Sequence, residues 1–514
     1  MKTPLLEKLQ DSLVGELKID KLSKALYATD ASVYRKTPMA VAFPKSKKDI
    51  QQLILFAKEN NIGLIPRTAG TSLAGQCVGA GIVVDVSKYF TAILSLDEEK
   101  MQVTVQPGVI RDELNTYLEP FGLFFGPNTS TANRCMIGGM VGNNSSGTTS
   151  IRYGITREYT ASLKTILSNG EEAEFKALTT EEFLDKTKLD SFEGSIYKNL
   201  YKELSDKDIQ DEIIREFPKP QIHRRNTGYA IDELLKSNVF GGSKELINVC
   251  ELLSGSEGTL AFTTEITLQL AKLPPKLAAM VVTHYHTLED CLSDVAPAMQ
   301  HNLHTCEMMD KVILDCTKNN REQLKNRFFV SGDPAALLML EVKSDTEEGL
   351  KAQIDALLIT INESGLSYAN AILNASEAKM AAELRKAGLG LLGNIVGDKK
   401  AVACIEDTAV AVEDLKDFIG EFSQIMEGYQ QSAVYYAHAG AGELHLRPIL
   451  NLKKSDDLHL FRAITTDVAK LTKKYKGSFS GEHGDGIVRA EFIPLMIGDK
   501  NYALLKRVKT YFDP

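Results

Sequence analysis

The chain contains no Cys-x-x-Cys pair. Its seven cysteines, Cys77, Cys135, Cys250, Cys291, Cys306, Cys316 and Cys404, are scattered. That excludes a zinc ribbon or an iron–sulfur cluster held by this chain alone, and fits reduced, buried thiols. No apolar run approaches the roughly 18 residues of a membrane span. No basic run or basic–aromatic stripe occurs, and the net charge of −9 argues against a nucleic-acid partner. Glu7 and Asp11 arrive too early for the apolar core of a signal sequence, so the N-terminus reads as an amphipathic helix. The expected location is cytoplasmic, with peripheral docking at the inner face of a membrane left open. No Gly-x-Gly-x-x-Gly follows a strand, which removes the usual nicotinamide site. Internal repeats and low-complexity segments are also missing.

What the chain has is a set of small-residue loops. Pro66-Arg67-Thr68-Ala69-Gly70-Thr71-Ser72 leads on to Gly75-Gln76 between two strand-like runs. Free backbone N–H groups and hydroxyls make such a loop a nest for a pyrophosphate, and Gly70 and Gly75 permit close approach. A second stretch holds Pro127 and Thr129, then Gly138, Gly139, Gly142, Asn143, Asn144, Ser146 and Gly147. A third holds Glu257 and Gly258, followed by an alternating strand containing Ile266.

At 514 residues the chain is too long for one core. Residues 1–37 read as a helical lead-in, and 38–272 as two α/β units with a charged helical excursion over 171–220. Residues 273–455 read as a mostly antiparallel α+β cap with helices covering one face, and 456–514 as helices that return to the first domain. Leu273-Pro274-Pro275 marks the boundary.

Two segments carry the chemistry. Around His438-Ala439-Gly440-Ala441-Gly442-Glu443-Leu444-His445-Leu446-Arg447, two strand-like runs flank a glycine turn. With Ala441-Gly442 as a two-residue loop, His438 would oppose His445, Cβ atoms roughly 5 Å apart. Alternation puts Glu443, His445 and Arg447 on one face and two leucines on the other. The second segment is Ser480-Gly481-Glu482-His483-Gly484-Asp485-Gly486, where adjacent Glu482 and His483 must point in different directions. Two histidines and a carboxylate suit a divalent metal with an open position.

Taken together, these loops and motifs resemble the vanillyl-alcohol oxidase and p-cresol methylhydroxylase flavoprotein superfamily, in its D-2-hydroxy-acid dehydrogenase branch, over about residues 38–514. The resemblance implies an α+β fold: a two-subdomain FAD-binding domain, an antiparallel cap and C-terminal helices. The three loop segments named above would bind FAD. The first histidine of the chain is His223, so none is available for a histidyl linkage in the first loop, and non-covalent FAD is expected. His438, His445 and Glu482 would hold a divalent cation, zinc in many members, and His483 would be the base. Arg385 matches a substrate-carboxylate arginine, and Arg224-Arg225-Asn226-Thr227-Gly228-Tyr229 resembles a loop near the flavin. Many members have Asn two residues after the second histidine, where this chain has Arg447, a cation that would meet the substrate instead.

The implied reaction is oxidation of a D-2-hydroxy acid of the D-lactate or D-2-hydroxyglutarate class, with hydride passing to flavin N5. The electron acceptor would be separate: a quinone, a cytochrome, an electron-transfer flavoprotein or an iron–sulfur domain. A homodimer is compatible with the family. A Phe-Asp-Pro like Phe512-Asp513-Pro514 leads into a further short segment in members, so continuation of the chain is an expectation. Two other readings are an alkyl-glycerone-phosphate-synthase-like flavoenzyme without net redox and a flavin-poor scaffold subunit of an oxidase.

Overall fold

The computed structural model describes residues 3–318 and 320–514. Three sheets organise them, and each follows from its strand pattern. The first has four strands in the order Glu16–Lys18, Ala40–Phe43, Ile82–Asp85, Leu64–Arg67. The last three are parallel, and the middle two, Ala40–Phe43 and Ile82–Asp85, are mostly buried while Leu64–Arg67 is half-buried. Helix Lys47–Glu59 starts where Ser46 accepts the Asp49 N–H, and it buries Ile50, Leu53, Ile54 and Ala57. The N-terminal segment is not wholly helical as expected. The Asp49 carboxylate accepts the Val14 and Gly15 N–H groups at 2.9 and 3.0 Å. This turns the chain into Glu16–Lys18, which closes the edge of the sheet antiparallel to Ala40–Phe43.

The second sheet has six strands, all paired antiparallel, in the order Ile247–Asn248, Glu172–Leu178, Thr160–Ile166, Phe262–Gln269, Gln102–Val105, Ile93–Asp97. The stretch 171–220, expected to be helical, opens with one of these strands. Ala173, Phe175 and Leu178 are buried, with exposed Glu172, Glu174 and Lys176 between them, the period-2 signature of a half-buried strand. Helices Thr180–Lys186, Phe192–Leu204 and Lys207–Glu216 follow.

The third sheet begins with Ala369–Asn374, Leu277–Tyr285, Ala336–Ser344, Thr305–Asp310, Ala433–His438 and Glu443–Leu450. Two short strands, Lys400–Ala401 and Glu406–Ala409, also pair with Glu443–Leu450. Helices cover both faces rather than the single face expected. Val281, Leu338 and Leu340 join the core shared with Leu357 and Ile361, while Met280, Val282 and Leu337 pack with Ala381 and Leu384. The near-continuous apolar runs of these strands require cover on each side.

Helix Ser455–Lys474 leads into an irregular segment, and helix Asp499–Phe512 ends the chain on the second sheet. There Phe512 is fully buried, its ring centroid 6.1 Å from that of Phe175. Burial of one such ring is worth roughly 1.5–3 kcal/mol. Among the described residues no helix is long and apolar enough to cross a membrane.

Candidate functional site

The three glycine-rich segments converge on one cleft. It is lined by Pro66, Arg67, Thr68 and Gln76, by Gly138, Gly139, Gly142 and Asn143, and by Glu257 and Gly258. Local packing explains the small residues. A Cβ at Gly138 would stand 2.4 Å from Pro107 Cβ, and one at Gly139 would stand 2.8 Å from Thr68 Oγ1. Gly70 and Gly75 adopt positive φ, at 66° and 82°. Cys77 also lines the cleft, but burial pushes its thiol up to about 12, so it is inert.

Other expected cofactor residues stand around the cleft in structural roles. The Arg67 guanidinium turns to the Thr29 and Cys77 carbonyls at 2.9 and 3.3 Å. Asn144, fully buried, accepts the Arg157 N–H and donates to Asn226. Ser146 accepts from Arg224 Nε at 2.9 Å. Gly147 is needed because a Cβ would sit 1.8 Å from the Asn128 carbonyl oxygen. Ile266 is wholly inside the core, its Cα neighbours Val105 and Leu163. Ala69, Thr71, Ser72, Pro127 and Thr129 are outside the residues that line the cleft.

The histidine hairpin forms, with a different turn. Residues 439–442 make the loop, a 3-10 turn closed by Gly442 at φ 67°. His438 therefore pairs with Glu443, and Tyr436 with His445, rather than His438 with His445. The histidines are diagonal neighbours on the same face, as period 2 demands, and their ring centroids lie 5.2 Å apart.

Glu482 arrives on the loop after helix Ser455–Lys474, which strand Glu406–Ala409 holds in place. The Asp407 carboxylate accepts the Glu482 and His483 N–H groups at 3.0 and 2.8 Å and the Ser480 hydroxyl at 2.8 Å. Glu482 Oε1 then faces His438 Nε2 at 3.5 Å and His445 Nε2 at 3.7 Å. These are poor hydrogen-bond lengths. They are close to the edge of a tetrahedron of ligands about 2.0–2.2 Å from one cation, which is about 3.4 Å. The chemistry of the set and its spacing fit a divalent ion. The His483 ring stacks on His445, its centroid 5.4 Å away, with Nε2 3.7 Å from Glu482 Oε1.

The electrostatics keep the donors in ligating form. Burial pushes His445 down to about 3, leaving a neutral imidazole. Burial would raise Glu482, but Arg224 and His438 outweigh it and hold the carboxyl well below its usual range. Glu406 is held at about 2 against its burial by Arg447, and Asp407 at about 2 by His483 and Arg489. Burial, reinforced by Glu482 and Asp407, raises Glu443 well above the usual carboxylate range despite Arg224 beside it.

Arg385, on helix Ala375–Leu391, is buried rather than solvated. It stacks over Tyr436, 4.1 Å from the ring centroid, donates to the Ala437 carbonyl at 3.0 Å and pairs with Glu307. Arg447 pairs bidentately with Glu406, not with Glu443. Arg224, fully buried, bridges Ser146, Glu443 and Glu482, the last at 2.7 Å. Arg225 is taken up by Asp232 and Glu233. Glu307, Glu406 and Asp407 escaped the sequence reading. They come from strands 30 to 130 residues away in sequence, and no local motif marks them. Cleft and cluster meet at one atom: the His483 carbonyl accepts from Gln76 Nε2 at 2.7 Å and from Asn143 Nδ2 at 3.3 Å.

A glycine-walled cleft thus lies beside a histidine–carboxylate cluster, on a two-sheet domain with an antiparallel cap. Residues 38–176 match the family described as FAD binding domain, and residues 274–514 match FAD linked oxidases, C-terminal domain. Residues 38–176 thus belong to the FAD-binding domain family and residues 274–514 to the C-terminal domain family of FAD-linked oxidases. It is 32% identical to a D-2-hydroxyglutarate dehydrogenase of Escherichia coli strain K12, over 98% of this chain and 50% of that protein. The chain thus spans about half the length of the curated relatives it matches. A crystal structure of p-cresol methylhydroxylase with substrate bound superposes with a TM-score of 0.67 at 12% identity, covering 99% of this chain and 94% of the other. An alkyldihydroxyacetonephosphate synthase superposes at 0.62 and 14% identity, covering 99% and 83%. At such identities these two structures speak for the fold.

Proposed function

We propose that the chain catalyses FAD-dependent oxidation of a D-2-hydroxy acid to the 2-oxo acid, with a divalent cation, zinc by its donor set, at His438, His445 and Glu482. The observation that supports this most is the His483 carbonyl, which ties the loop of Glu482 and His483 to Gln76 and Asn143 of the glycine-walled cleft. Dehydrogenases of D-2-hydroxyglutarate among the relatives support the substrate class. Bound FAD would supply the hydride acceptor, and the cation would supply the positive charge that acidifies a substrate hydroxyl. His483 Nε2 would take that proton, with the ring held by its stack on His445. Arg385 and Arg447 would receive carboxylate oxygens as planar donors, which favours a substrate with a second anionic group over glycolate. Both would have to share their charge with Glu307 and Glu406. Electrons would leave to a separate acceptor of the quinone, cytochrome, electron-transfer flavoprotein or iron–sulfur kind. A cytoplasmic or membrane-peripheral homodimer is the expected setting.

The test is anaerobic bleaching of the FAD-loaded protein with D-2-hydroxyglutarate, D-lactate and glycolate, with and without Arg447→Asn. Bleaching strongest with the dicarboxylate, and weakened by the substitution, is the expected result. No bleaching by any 2-hydroxy acid would favour chemistry without net redox, as in the synthase-like reading. Equal preference for D-lactate in both proteins would remove Arg447 from substrate selection.

A further inference from the structure

We infer that Glu307 is a positioning residue that selects the ring tautomer of His438 and so makes that histidine able to hold the cation. The register that pairs Met308 with Ala437 brings Glu307 opposite His438, both buried. His438 Nδ1 lies 3.0 and 2.9 Å from the two Glu307 oxygens. It also lies 3.4 Å from Arg385 Nη2. These two neighbours ask for opposite things. A carboxylate can only accept, so it requires the proton on Nδ1, and Nε2 is then a free lone pair. A guanidinium can only donate. With Arg385 as its sole partner, Nδ1 would have to accept, and the proton would sit on Nε2, the nitrogen that faces Glu482 Oε1 at 3.5 Å. A protonated Nε2 cannot ligate a cation.

Glu307 settles the conflict by engaging both groups. It pairs with Arg385 while accepting from His438, and Arg385 Nη2 also donates to the Ala437 carbonyl. The arrangement is an outer-shell carboxylate behind a histidine ligand, a type of contact whose loss weakens metal binding roughly 10–100-fold. What sets this site apart is the neighbouring arginine, which makes the carboxylate's absence worse than neutral.

The inference rests on the cation reading above, and the experiment separates the two. FAD-loaded, metal-free protein is titrated with Co²⁺, read by its visible absorption. Histidine ring nitrogens are read by NMR in ¹⁵N-histidine-labelled, metal-free protein. Wild type should carry the His438 proton on Nδ1. Glu307→Ala should move it to Nε2 and weaken Co²⁺ binding roughly 10–100-fold, while Glu307→Asp, which keeps an acceptor, should retain most of the affinity. The decisive variant is Glu307→Ala with Arg385→Ala. Removing the competing donor should restore Co²⁺ binding at least several-fold over Glu307→Ala alone, whereas a merely structural role predicts no rescue. The inference is overturned if the double variant binds no better, or if wild type leaves His438 Nδ1 unprotonated, whatever proton Nε2 shares with the Glu482 carboxylate in the metal-free protein. That wild-type measurement decides the matter even if the alanine variants fail to fold. Wild type that takes up no Co²⁺ while carrying the proton on Nδ1 would sink the cation site and leave the tautomer assignment standing.

Discussion

Arg224→Met should be among the most damaging single changes available to this chain. Arg224 is fully buried, and its three nitrogens are committed to Ser146, Glu443 and Glu482. Methionine fills much of the space and keeps the apolar stem but leaves two carboxyl groups facing each other without a cation. Removal of one member of a buried charge cluster costs about 3–5 kcal/mol, because the stranded charge is not solvated. Part of that is recovered when Glu443, already pushed toward its neutral form, takes a proton. An expected loss of about 3 kcal/mol near neutral pH remains, a factor of over 100 in the unfolding equilibrium. Equilibrium urea denaturation, followed by the far-UV signal, measures it. Arg224→Met with Glu443→Gln should recover at least half of the loss, since only one carboxylate is then left unpaired. A loss below about 1 kcal/mol for the single variant, or a double variant that is simply additive, would refute the charge-cluster account.

Other outcomes follow from the same geometry. Ala at His438, His445 or Glu482 should abolish stoichiometric zinc by elemental analysis while FAD stays bound, because the cleft is lined by other residues; unchanged metal in all three would reject the assignment. Gly138→Val should prevent FAD retention through gel filtration, since the added Cβ alone would stand 2.4 Å from Pro107; a yellow, soluble variant would contradict this. His304 is neutral in the fold, lowered to about 3 by burial and then by Lys343 and Arg152. Its contribution is present above pH 6.5, the unfolded value, and is lost as pH falls toward 3. At pH 5 that is 1.5 units, about 2 kcal/mol. His304→Gln should flatten the fall in stability between pH 6.5 and 5 by roughly that amount, and an unchanged slope in denaturation curves would exclude it.

The glycine-rich loops and the motifs that carry His438, His445 and Glu482 were legible because each is a local string whose residue types have few other uses. Strand Leu277–Tyr285 was visible for the same reason, as an unbroken apolar run. The hairpin register was misread because Ala441-Gly442 reads as a two-residue turn, whereas the chain tightens into a 3-10 turn one step earlier. Glu307, Asp407 and the partners of Arg224 were invisible for a different reason: a buried carboxylate is informative only once its neighbour is known. The second cover of the cap sheet was missed because periodicity cannot tell a one-sided from a two-sided sheet when the run is apolar throughout.

The His483 carbonyl, gripped by Gln76 and Asn143, fixes how this fold could be recombined. Two of the three candidate ligands lie on the cap hairpin, while Glu482 and His483 are held from both sides, their N–H groups by Asp407 of the cap and the His483 carbonyl by Gln76 and Asn143. A chimera that exchanges residues 276–455 for another cap would import a new histidine pair, and would keep Glu482 and His483 in register only if the incoming cap supplied a carboxylate in the place of Asp407. A crossover placed after 486 would instead put at risk the contacts that reach the glycine-rich loops, the His483 carbonyl to Gln76 and Asn143, the Gly486 N–H to Glu257, and Arg224 to Glu443 and Glu482.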